Sequence, residues 1–290
     1  MTEVFGYVSS SNFDPIEKKP LYHFYPGSTI LSIGSYGCNL RCFFCQNCTI
    51  SQTAAEPELP RTYLTPMQIV KAALDQPGNI GIAFTYNEPT IWFEYMYEIA
   101  QLAKKAGLVT VMVTNGYINK EPLQALLQCI DAFSVDLKAF NDDFYAKVTS
   151  SKLEPVKETL KQIKLAGKHV EIVNLVIPGL NDDDVSVEAM VKWIATEIGR
   201  DTVFHISRYF PSYKMITEAT PISIMRRVYR IASKELQYVY TGNVNAGNND
   251  TKCIDCGNLL ISRYLYSTTL VGLNKSGRCN KCGNYFLKKT

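Results

Sequence analysis

Short apolar runs rich in β-branched residues alternate with longer segments of helical period through most of this chain. Such alternation is typical of consecutive βα units, whose strands join one parallel sheet and whose helices cover it. Six units precede a closing strand, and such an α/β array could form either a doubly wound open sheet or an incomplete barrel of the TIM type. The predicted strands are residues 29–33, 80–85, 108–114, 132–137, 170–177, 203–207 and 238–241.

The predicted helices follow these strands, and the first has the clearest start. Thr65 supplies a hydroxyl N-cap, Pro66 stands at the first helical position, and Gln68 follows three residues after the cap. This arrangement is the capping box with proline at its preferred place. The other helices are predicted at residues 89–105, 122–129, 154–166, 185–198 and 221–234.

The domain organisation is read from composition. A Gly- and Asn-rich stretch at 243–250 contains few large apolar residues, which is typical of a linker. We therefore expect an N-terminal extension at 1–27, a barrel at 28–242, the linker, and a small module at 251–290.

Charge and hydropathy exclude several classes of protein. The 290 residues include 30 basic and 27 acidic side chains, and the net charge of +3 argues against nucleic acid as a partner. No run of 18 apolar residues and no signal peptide is present, so we expect a cytoplasmic protein without a membrane anchor. Thiols stay reduced in that compartment, and the nine cysteines therefore need a role other than disulfide formation.

The first cysteine cluster follows the first predicted strand. Cys38, Cys42 and Cys45 are separated by three and two residues, so three thiolates can converge on one inorganic core from a single loop. Three ligands on a four-iron cube leave one iron open, and an open position distinguishes a reactive metal centre from a closed structural one. The alternative is a zinc knuckle completed by Cys48.

The second cluster has the spacing of a zinc ribbon. Two Cys-x-x-Cys pairs are 22 residues apart, and a glycine directly follows each pair. So short a module cannot hold a core unaided, so a bound metal would carry much of its folding energy. Zinc fits best, although iron is compatible with the same geometry. The four predicted ligands are Cys253, Cys256, Cys279 and Cys282.

Motifs at the strand ends resemble those of a known superfamily. The Cys-x3-Cys-x2-Cys loop resembles the signature loop of radical S-adenosylmethionine enzymes, and this resemblance implies a partial (βα)6 TIM-like barrel. Residues 86–89 (Tyr-Asn-Glu-Pro) are similar to a variant of the Gly-Gly-Glu motif of that superfamily. Residues 114–116 (Thr-Asn-Gly) and 136–138 (Asp-Leu-Lys) are similar to motifs of the glycyl-radical activating enzymes.

A more specific resemblance spans nearly the whole chain. Residues 14–27, 45–47, 86–90 and 240–244 resemble the AmmeMemoRadiSam system radical enzymes, which are relatives of pyruvate formate-lyase activating enzyme. This resemblance implies an electron donor such as flavodoxin or ferredoxin. It also implies Memo-like and AmmeCR-like proteins as partners.

The resemblance also implies the chemistry and the residues that serve it. A 4Fe-4S cluster held by the three loop cysteines would cleave S-adenosylmethionine reductively, and the 5′-deoxyadenosyl radical would abstract hydrogen from an unidentified substrate. Glu88 would bind the ammonium of S-adenosylmethionine, Phe44 would lie near its adenine, and Asp136 and Lys138 are the catalytic candidates. The cofactor-binding candidates are Phe44, Asn87, Glu88, Thr114, Asn115, Asp136, Lys138, Ile177 and Arg208.

Two alternative functions are compatible with the sequence. One is a glycyl-radical activating enzyme that acts on a partner protein, as residues 114–116 and 136–138 suggest. The other is a non-enzymatic metal-binding module whose ribbon binds RNA through its basic side chains. Those side chains are Lys275, Arg278, Lys281, Lys288 and Lys289.

Overall fold

The computed structural model describes residues 2–53, 62–244 and 249–287. Lys288, Lys289 and half of the predicted linker, residues 245–248, lie outside the described residues. In the described ranges, the helices are too short or too polar to cross a membrane.

The strands form one large sheet and two small ones. In chain order they are β1 (Tyr7–Val8), β2 (Ser10–Pro15), β3 (Thr29–Gly34), β4 (Thr62–Tyr63), β5 (Asn79–Phe84), β6 (Val109–Thr114), β7 (Ala132–Asp136), β8 (His169–Val176), β9 (Val203–Arg208), β10 (Tyr238–Gly242), β11 (Thr251–Lys252), β12 (Leu259–Tyr264) and β13 (Ser267–Leu270). The large sheet has the order β10-β9-β8-β7-β6-β5-β3-β2. Every neighbouring pair in it is parallel except β2 with β3.

Helices follow the parallel strands, as βα units require. They are α1 (Cys48–Ser51), α2 (Pro66–Asp75), α3 (Phe93–Lys105), α4 (Lys120–Cys129), α5 (Asp142–Phe144), α6 (Leu153–Leu165), α7 (Asp184–Trp193) and α8 (Ile222–Glu235). A 3₁₀ turn, Pro89–Trp92, leads into α3, and a π-helical turn, Ile194–Gly199, extends α7. The apolar faces of the helices pack on the outer face of the sheet, where alternate strand residues such as Met112, Phe133 and Phe204 are buried.

The structure confirms the predicted α/β fold and its seven strands, and the strand bounds shift by about one residue. The capping box of α2 is also confirmed, because Gln68 N donates to Thr65 Oγ1 and Thr65 N donates to Gln68 Oε1. The sequence analysis did not anticipate β2, which adds an antiparallel edge strand next to β3. Its Ser10-Ser11-Asn12 start has low strand propensity, and edge strands tolerate such residues and a terminal Pro15.

The inner face of the sheet is filled at one end by the segment that follows β2. Ile16, Leu21 and Phe24 are buried there against inward residues of the central strands. These inward residues are Ile30, Ala83, Val111 and Ala132. Because this apolar plug occupies the amino ends of the strands, the open space inside the sheet lies at their carboxyl ends.

The C-terminal ribbon, which begins at Thr251 and contains β11 to β13, forms hydrogen bonds with the barrel and with the plug segment after β2. Tyr240 of β10 and Thr251 share a hydroxyl hydrogen bond of 2.6 Å. From β12, Arg263 donates to the carbonyl oxygen of Tyr22 at 2.7 Å, and its guanidinium lies 4.4 Å from the Tyr22 ring. The ribbon therefore contacts β10, which is one edge strand of the large sheet, and the segment that follows the other edge strand, β2.

Candidate active site

A cavity of about 720 Å³ lies at the carboxyl ends of the parallel strands. The loop after β3 contributes the cysteines, and the segments after β5, β6 and β7 contribute polar side chains. This is the edge of a parallel sheet at which α/β enzymes place their sites. The predicted site residues on its wall are Cys38, Cys42, Phe44, Cys45, Asn87, Glu88, Thr114, Asn115, Asp136 and Lys138.

Two predicted cofactor-binding residues are not on this wall. Ile177 is fully buried, and its backbone N–H donates to Asn181 Oδ1 at 2.7 Å. Arg208 donates from Nε to the carbonyl oxygen of Thr220 at 2.7 Å. Both residues support the loops after β8 and β9, so the geometry gives no support to their predicted role in cofactor binding.

Glu88 is a buried carboxylate surrounded by neutral donors. Its Oε1 accepts from Thr114 Oγ1 at 2.8 Å and from the backbone of Thr90 at 3.1 Å. Its Oε2 accepts from the backbone of Asn115 at 2.8 Å. Burial raises the pKa of Glu88, because these hydrogen bonds offset only part of the lost hydration. A cationic group of a ligand would supply the missing counter-charge.

The side chain of Asn87 holds the cysteine loop in position. Its Oδ1 accepts from the backbone of Ser35 at 3.0 Å and from the indole nitrogen of Trp92 at 3.2 Å. Its Nδ2 donates to the carbonyl oxygen of Gly37 at 2.9 Å. Because these protein partners occupy the amide, Asn87 is a positioning residue for the loop.

The cysteine loop is also anchored by distant segments. The N–H groups of Arg41 and Phe43 donate to the carbonyl oxygens of Thr149 and Val148 at 2.9 and 3.1 Å. Ser212 Oγ donates to the carbonyl oxygen of Cys45 at 3.1 Å. The loop is therefore fixed by chain more than 100 residues away, which spacing alone does not reveal.

The Cys38 sulfur accepts two N–H groups. The backbone of Leu40 approaches it at 3.3 Å and Asn115 Nδ2 at 3.7 Å. Burial raises the pKa of this thiol to about 12, and the Glu88 carboxylate adds to the increase. A metal centre must therefore displace a firmly held proton, and the two donors then stabilise the sulfur in its charged form.

Asp136 and Lys138 form an ion pair at the end of β7. Lys138 Nζ lies 2.8 Å from Asp136 Oδ2 and 5.8 Å from the Phe44 ring centroid. Burial opposes the charge of Lys138, but the Asp136 carboxylate outweighs this effect and raises the pKa of the lysine. The pair thus presents a permanent ammonium beside the Cys42 sulfur.

The two cysteine clusters differ in geometry. In the ribbon, Cys253–Cys282 and Cys256–Cys279 have Sγ–Sγ distances of 3.7 Å. Tetrahedral zinc with Zn–S bonds of about 2.3 Å requires sulfurs about 3.8 Å apart. In the part of the chain that the structure describes, the ribbon is the one set of three or more such ligand atoms lying within 4.8 Å of one another.

The loop cysteines do not form such a compact set. Cys38, Cys42 and Cys45 line one cavity, but their sulfurs do not all lie within 4.8 Å of one another. Thiolates that bind separate irons of an iron–sulfur cube need not be as close as the ligands of a single ion. The donor set of the loop is therefore compatible with a cube, and that of the ribbon with a single ion.

The ribbon knuckles follow the turn chemistry that the sequence predicts. Gly257 and Gly283 have positive φ angles of 70° and 77°, and each donates its N–H to the carbonyl oxygen of the first cysteine of its pair at 2.9 Å. Backbone N–H groups of Cys282 and Lys281 lower the pKa of Cys279 to about 6. These two N–H groups therefore favour the thiolate form of Cys279, the form that metal binding needs.

Sequence reasoning missed a second group on the cavity wall. Asp14 of β2, Lys18 and Lys19 of the segment that follows β2, and Tyr86 line the same cavity. Tyr266 reaches it from the turn between β12 and β13. The family resemblance at residues 14–27 was a signal for Asp14, Lys18 and Lys19, but nothing in the sequence indicated Tyr266.

Comparison with known proteins decides the family. A family model described as the Radical SAM superfamily matches residues 32–193, which include the cysteine loop and the ends of β5, β6 and β7. The chain belongs to the Radical SAM superfamily. The predicted superfamily is thereby confirmed.

Related members of the Radical SAM superfamily include enzymes that activate other proteins. An uncharacterized protein of Methanocaldococcus jannaschii is 44% identical over 274 residues, which cover 93% of this chain and 80% of that protein. The pyruvate formate-lyase-activating enzyme of Clostridium pasteurianum is 27% identical over 159 residues, which cover 54% of this chain and 66% of the enzyme. The chain thus resembles an activating enzyme along part of its length.

Solved radical SAM structures support the fold alone. SuiB of Streptococcus suis bound to S-adenosylmethionine aligns with a TM-score of 0.58 at 16% identity, covering 79% of this chain and 53% of SuiB. A radical SAM methyltransferase from Sphaerobacter thermophilus also gives 0.58 at 16% identity, covering 77% of this chain and 68% of the methyltransferase.

Proposed function

We propose that this protein is a radical SAM enzyme that cleaves S-adenosylmethionine reductively at a 4Fe-4S cluster held by Cys38, Cys42 and Cys45. A small-molecule substrate then loses a hydrogen atom in the same cavity. The observation that carries the proposal is the convergence of the three cysteines and the strand-end polar residues on one cavity.

The protein's part in this reaction is to orient and enclose the reactants. When bound, the cluster would supply the electron that breaks the sulfur–C5′ bond of S-adenosylmethionine. Glu88 binds the ammonium of S-adenosylmethionine, since its carboxylate is buried among neutral donors and lacks a counter-charge among them. Asn115 positions both Glu88 and Cys38, because its backbone N–H donates to the Glu88 carboxylate and its side-chain amide donates to the Cys38 sulfur.

Asp136 and Lys138 supply charge next to the cluster loop. Their ion pair holds an ammonium near Cys42 and over Phe44, where it offsets the negative charge of bound thiolates. Phe44 is 5% exposed and offers an apolar ring to the adenine. A flavodoxin or ferredoxin is the proposed electron donor.

The ribbon is proposed to bind structural zinc. The four cysteine sulfurs lie close together, and the distance of 3.7 Å in Cys253–Cys282 and in Cys256–Cys279 matches the sulfur–sulfur distance of tetrahedral zinc. Tyr266 connects this module to the cavity wall, so the metal would stabilise one side of the site.

The test is an anaerobic assay of 5′-deoxyadenosine. The reconstituted protein is mixed with S-adenosylmethionine and dithionite, and the product is quantified by mass spectrometry. We expect product from the wild type and from Cys129→Ala, a buried cysteine on α4 outside the cavity. Cys42→Ala is expected to fall to the protein-free background and to retain its ribbon metal.

Two results would contradict the proposal. One is product formation by Cys42→Ala at the wild-type rate. The other is the absence of product from a wild-type protein whose cluster is intact and reducible by spectroscopy. Loss of the ribbon metal in folded Cys42→Ala would argue against two independent metal sites.

Activation of a partner protein is the second candidate function. It is favoured by the similarity to the Clostridium pasteurianum activating enzyme and by residues 114–116 and 136–138. A glycyl-radical signal in the electron paramagnetic resonance spectrum of a partner would support it. A small molecule that accelerates 5′-deoxyadenosine formation without that signal would support the first function.

A further inference from the structure

A pair of lysines shares one carboxylate on the cavity wall. Lys19 Nζ lies 2.8 Å from Asp14 Oδ2, and Lys18 Nζ lies 3.1 Å from Asp14 Oδ1. Tyr86 OH also donates to Asp14 Oδ2 at 2.8 Å. Burial opposes the charge of Asp14, but Lys19 and Tyr86 hold the pKa of the carboxyl well below its usual range. Asp14 is thus ionised at neutral pH. Burial lowers the pKa of Lys19, and the contact with the Asp14 carboxylate opposes this effect, so that Lys19 and Asp14 form a neutral ion pair.

The remaining positive charge belongs to the exposed member of the pair. The side chain of Lys19 is 3% exposed, whereas that of Lys18 is 43% exposed and borders the cavity. Elsewhere on the wall, Lys138 is paired with Asp136. The group formed by Asp14, Lys18 and Lys19 therefore carries one excess positive charge towards the cavity.

Aromatic rings flank both lysines. Lys19 Nζ lies 4.7 Å from the centroid of the Tyr86 ring, and Lys18 Nζ lies 5.7 Å from that of Tyr266. These two rings come from the β5 end and from the ribbon, so three separate segments meet at the lysines. Because separate segments meet there, the folded structure fixes the surroundings of the two lysines on the cavity wall.

The placement of Tyr86 has a conformational cost. Its φ angle is 70°, in the left-handed region that a bulky side chain rarely adopts. A Cβ atom at Gly34 would lie 2.8 Å from the Thr85 carbonyl oxygen and 3.0 Å from Tyr86 Cβ, so glycine is needed for this approach. Strain of this kind is concentrated at ligand sites.

From these contacts we infer that Lys18, supported by Lys19, Asp14 and Tyr86, forms an anion subsite that receives a carboxylate or phosphate group of the substrate. This inference rests on the proposed function, because it names the substrate class of the same cavity. The charge of the subsite is opposite to that of Glu88. The cavity therefore offers one place for a ligand ammonium and another for a ligand anion.

The test measures anion binding without reduction of the cluster. The line width of the ³¹P resonance of inorganic phosphate is titrated with reconstituted protein at low ionic strength, and acetate is added as a competing carboxylate. We expect saturable binding that weakens about tenfold or more in Lys18→Met and is kept in Lys18→Arg. Lys71→Met is the matched control, since Lys71 forms an exposed i,i+4 pair with Asp75 on α2.

A parallel measurement of S-adenosylmethionine affinity separates this subsite from the cofactor site. We expect Lys18→Met to bind S-adenosylmethionine as the wild type does. Loss of phosphate and S-adenosylmethionine together would overturn the inference, as would equal phosphate binding by Lys18→Met or none by the wild type. Since no turnover is measured, failure of the cleavage assay would leave this result interpretable. The acetate concentration needed to displace the bound phosphate shows whether the subsite prefers a carboxylate or a phosphate.

Discussion

Glu88 gives the most direct prediction at the scale of single residues. Removing its charge with Glu88→Gln is expected to weaken S-adenosylmethionine binding about 10- to 100-fold, the effect of losing a charged hydrogen bond. Equilibrium dialysis with labelled S-adenosylmethionine would measure this. Glu158→Gln on the exposed face of α6 is the control.

The same carboxylate predicts a pH dependence. Because burial raises the pKa of Glu88, the ionised form needed for an ammonium is lost as the pH falls through that raised value. The affinity of the wild type should therefore decrease towards low pH, whereas Glu88→Gln should show no such decrease from this group. An equal pH profile in both proteins would assign the titration to another group.

The sequence alone located the site residues that directly follow predicted strands. Glu88, Asn115 and Lys138 follow predicted strands, and parallel strands end at one edge, so their meeting could be foreseen. The role of Asn87 in positioning the cysteine loop could not be foreseen, because it depends on where Gly37 and Trp92 lie in the folded chain. Contacts between segments distant in the chain require the folded backbone.

At the scale of elements, the start of α2 can be tested alone. Thr65→Ala removes the acceptor for the Gln68 N–H and is expected to lower the free energy of unfolding by about 1 kcal/mol. Thr65→Ser keeps the acceptor and should stay near the wild type. Chemical denaturation of the reconstituted protein would measure both. A loss as large in Thr65→Ser would assign the effect to packing of the methyl group.

The elements that the sequence identified correctly have strong local signals. The apolar runs of β3 and of β5 to β10, and the longer helices between them, are periodic, so neighbouring residues determine their type. The edge strand β2 and the three-residue α5 lack such a signal. Strand β2 is defined by its pairing with β3, and that tertiary contact overrides its weak propensity.

At the scale of the whole molecule, a buried polar network joins the plug segment, the barrel and the ribbon. Glu171 of β8 accepts the backbone N–H groups of Tyr22 and His23, and its carboxylate also contacts His169 and His205. All three histidines of the chain thus meet at or next to one carboxylate. His205 lies in the core and is 4% exposed.

Arg263 extends this network into the ribbon. Its guanidinium donates to the carbonyl oxygens of Tyr22 and Asn249 at 2.7 and 3.1 Å and to Thr251 Oγ1 at 2.6 Å. Asn249 in turn donates to the carbonyl oxygen of Thr241 in β10 at 2.7 Å. The ribbon is therefore coupled to the barrel by a buried charged group as well as by the chain.

Replacing this arginine tests whether the ribbon is an integral wall of the site. Arg263→Met leaves three acceptors without their donor, and we expect the amides of β12 and β13 to exchange hydrogen about 10- to 100-fold faster. Arg278→Met, at an exposed position of the same ribbon, should leave exchange unchanged. Both variants should retain the ribbon metal, because neither touches a predicted ligand. Unchanged exchange in Arg263→Met would show that the metal alone fixes the ribbon. Faster exchange with weaker phosphate binding would show that Tyr266, carried by the ribbon, helps to hold Lys18 at the cavity.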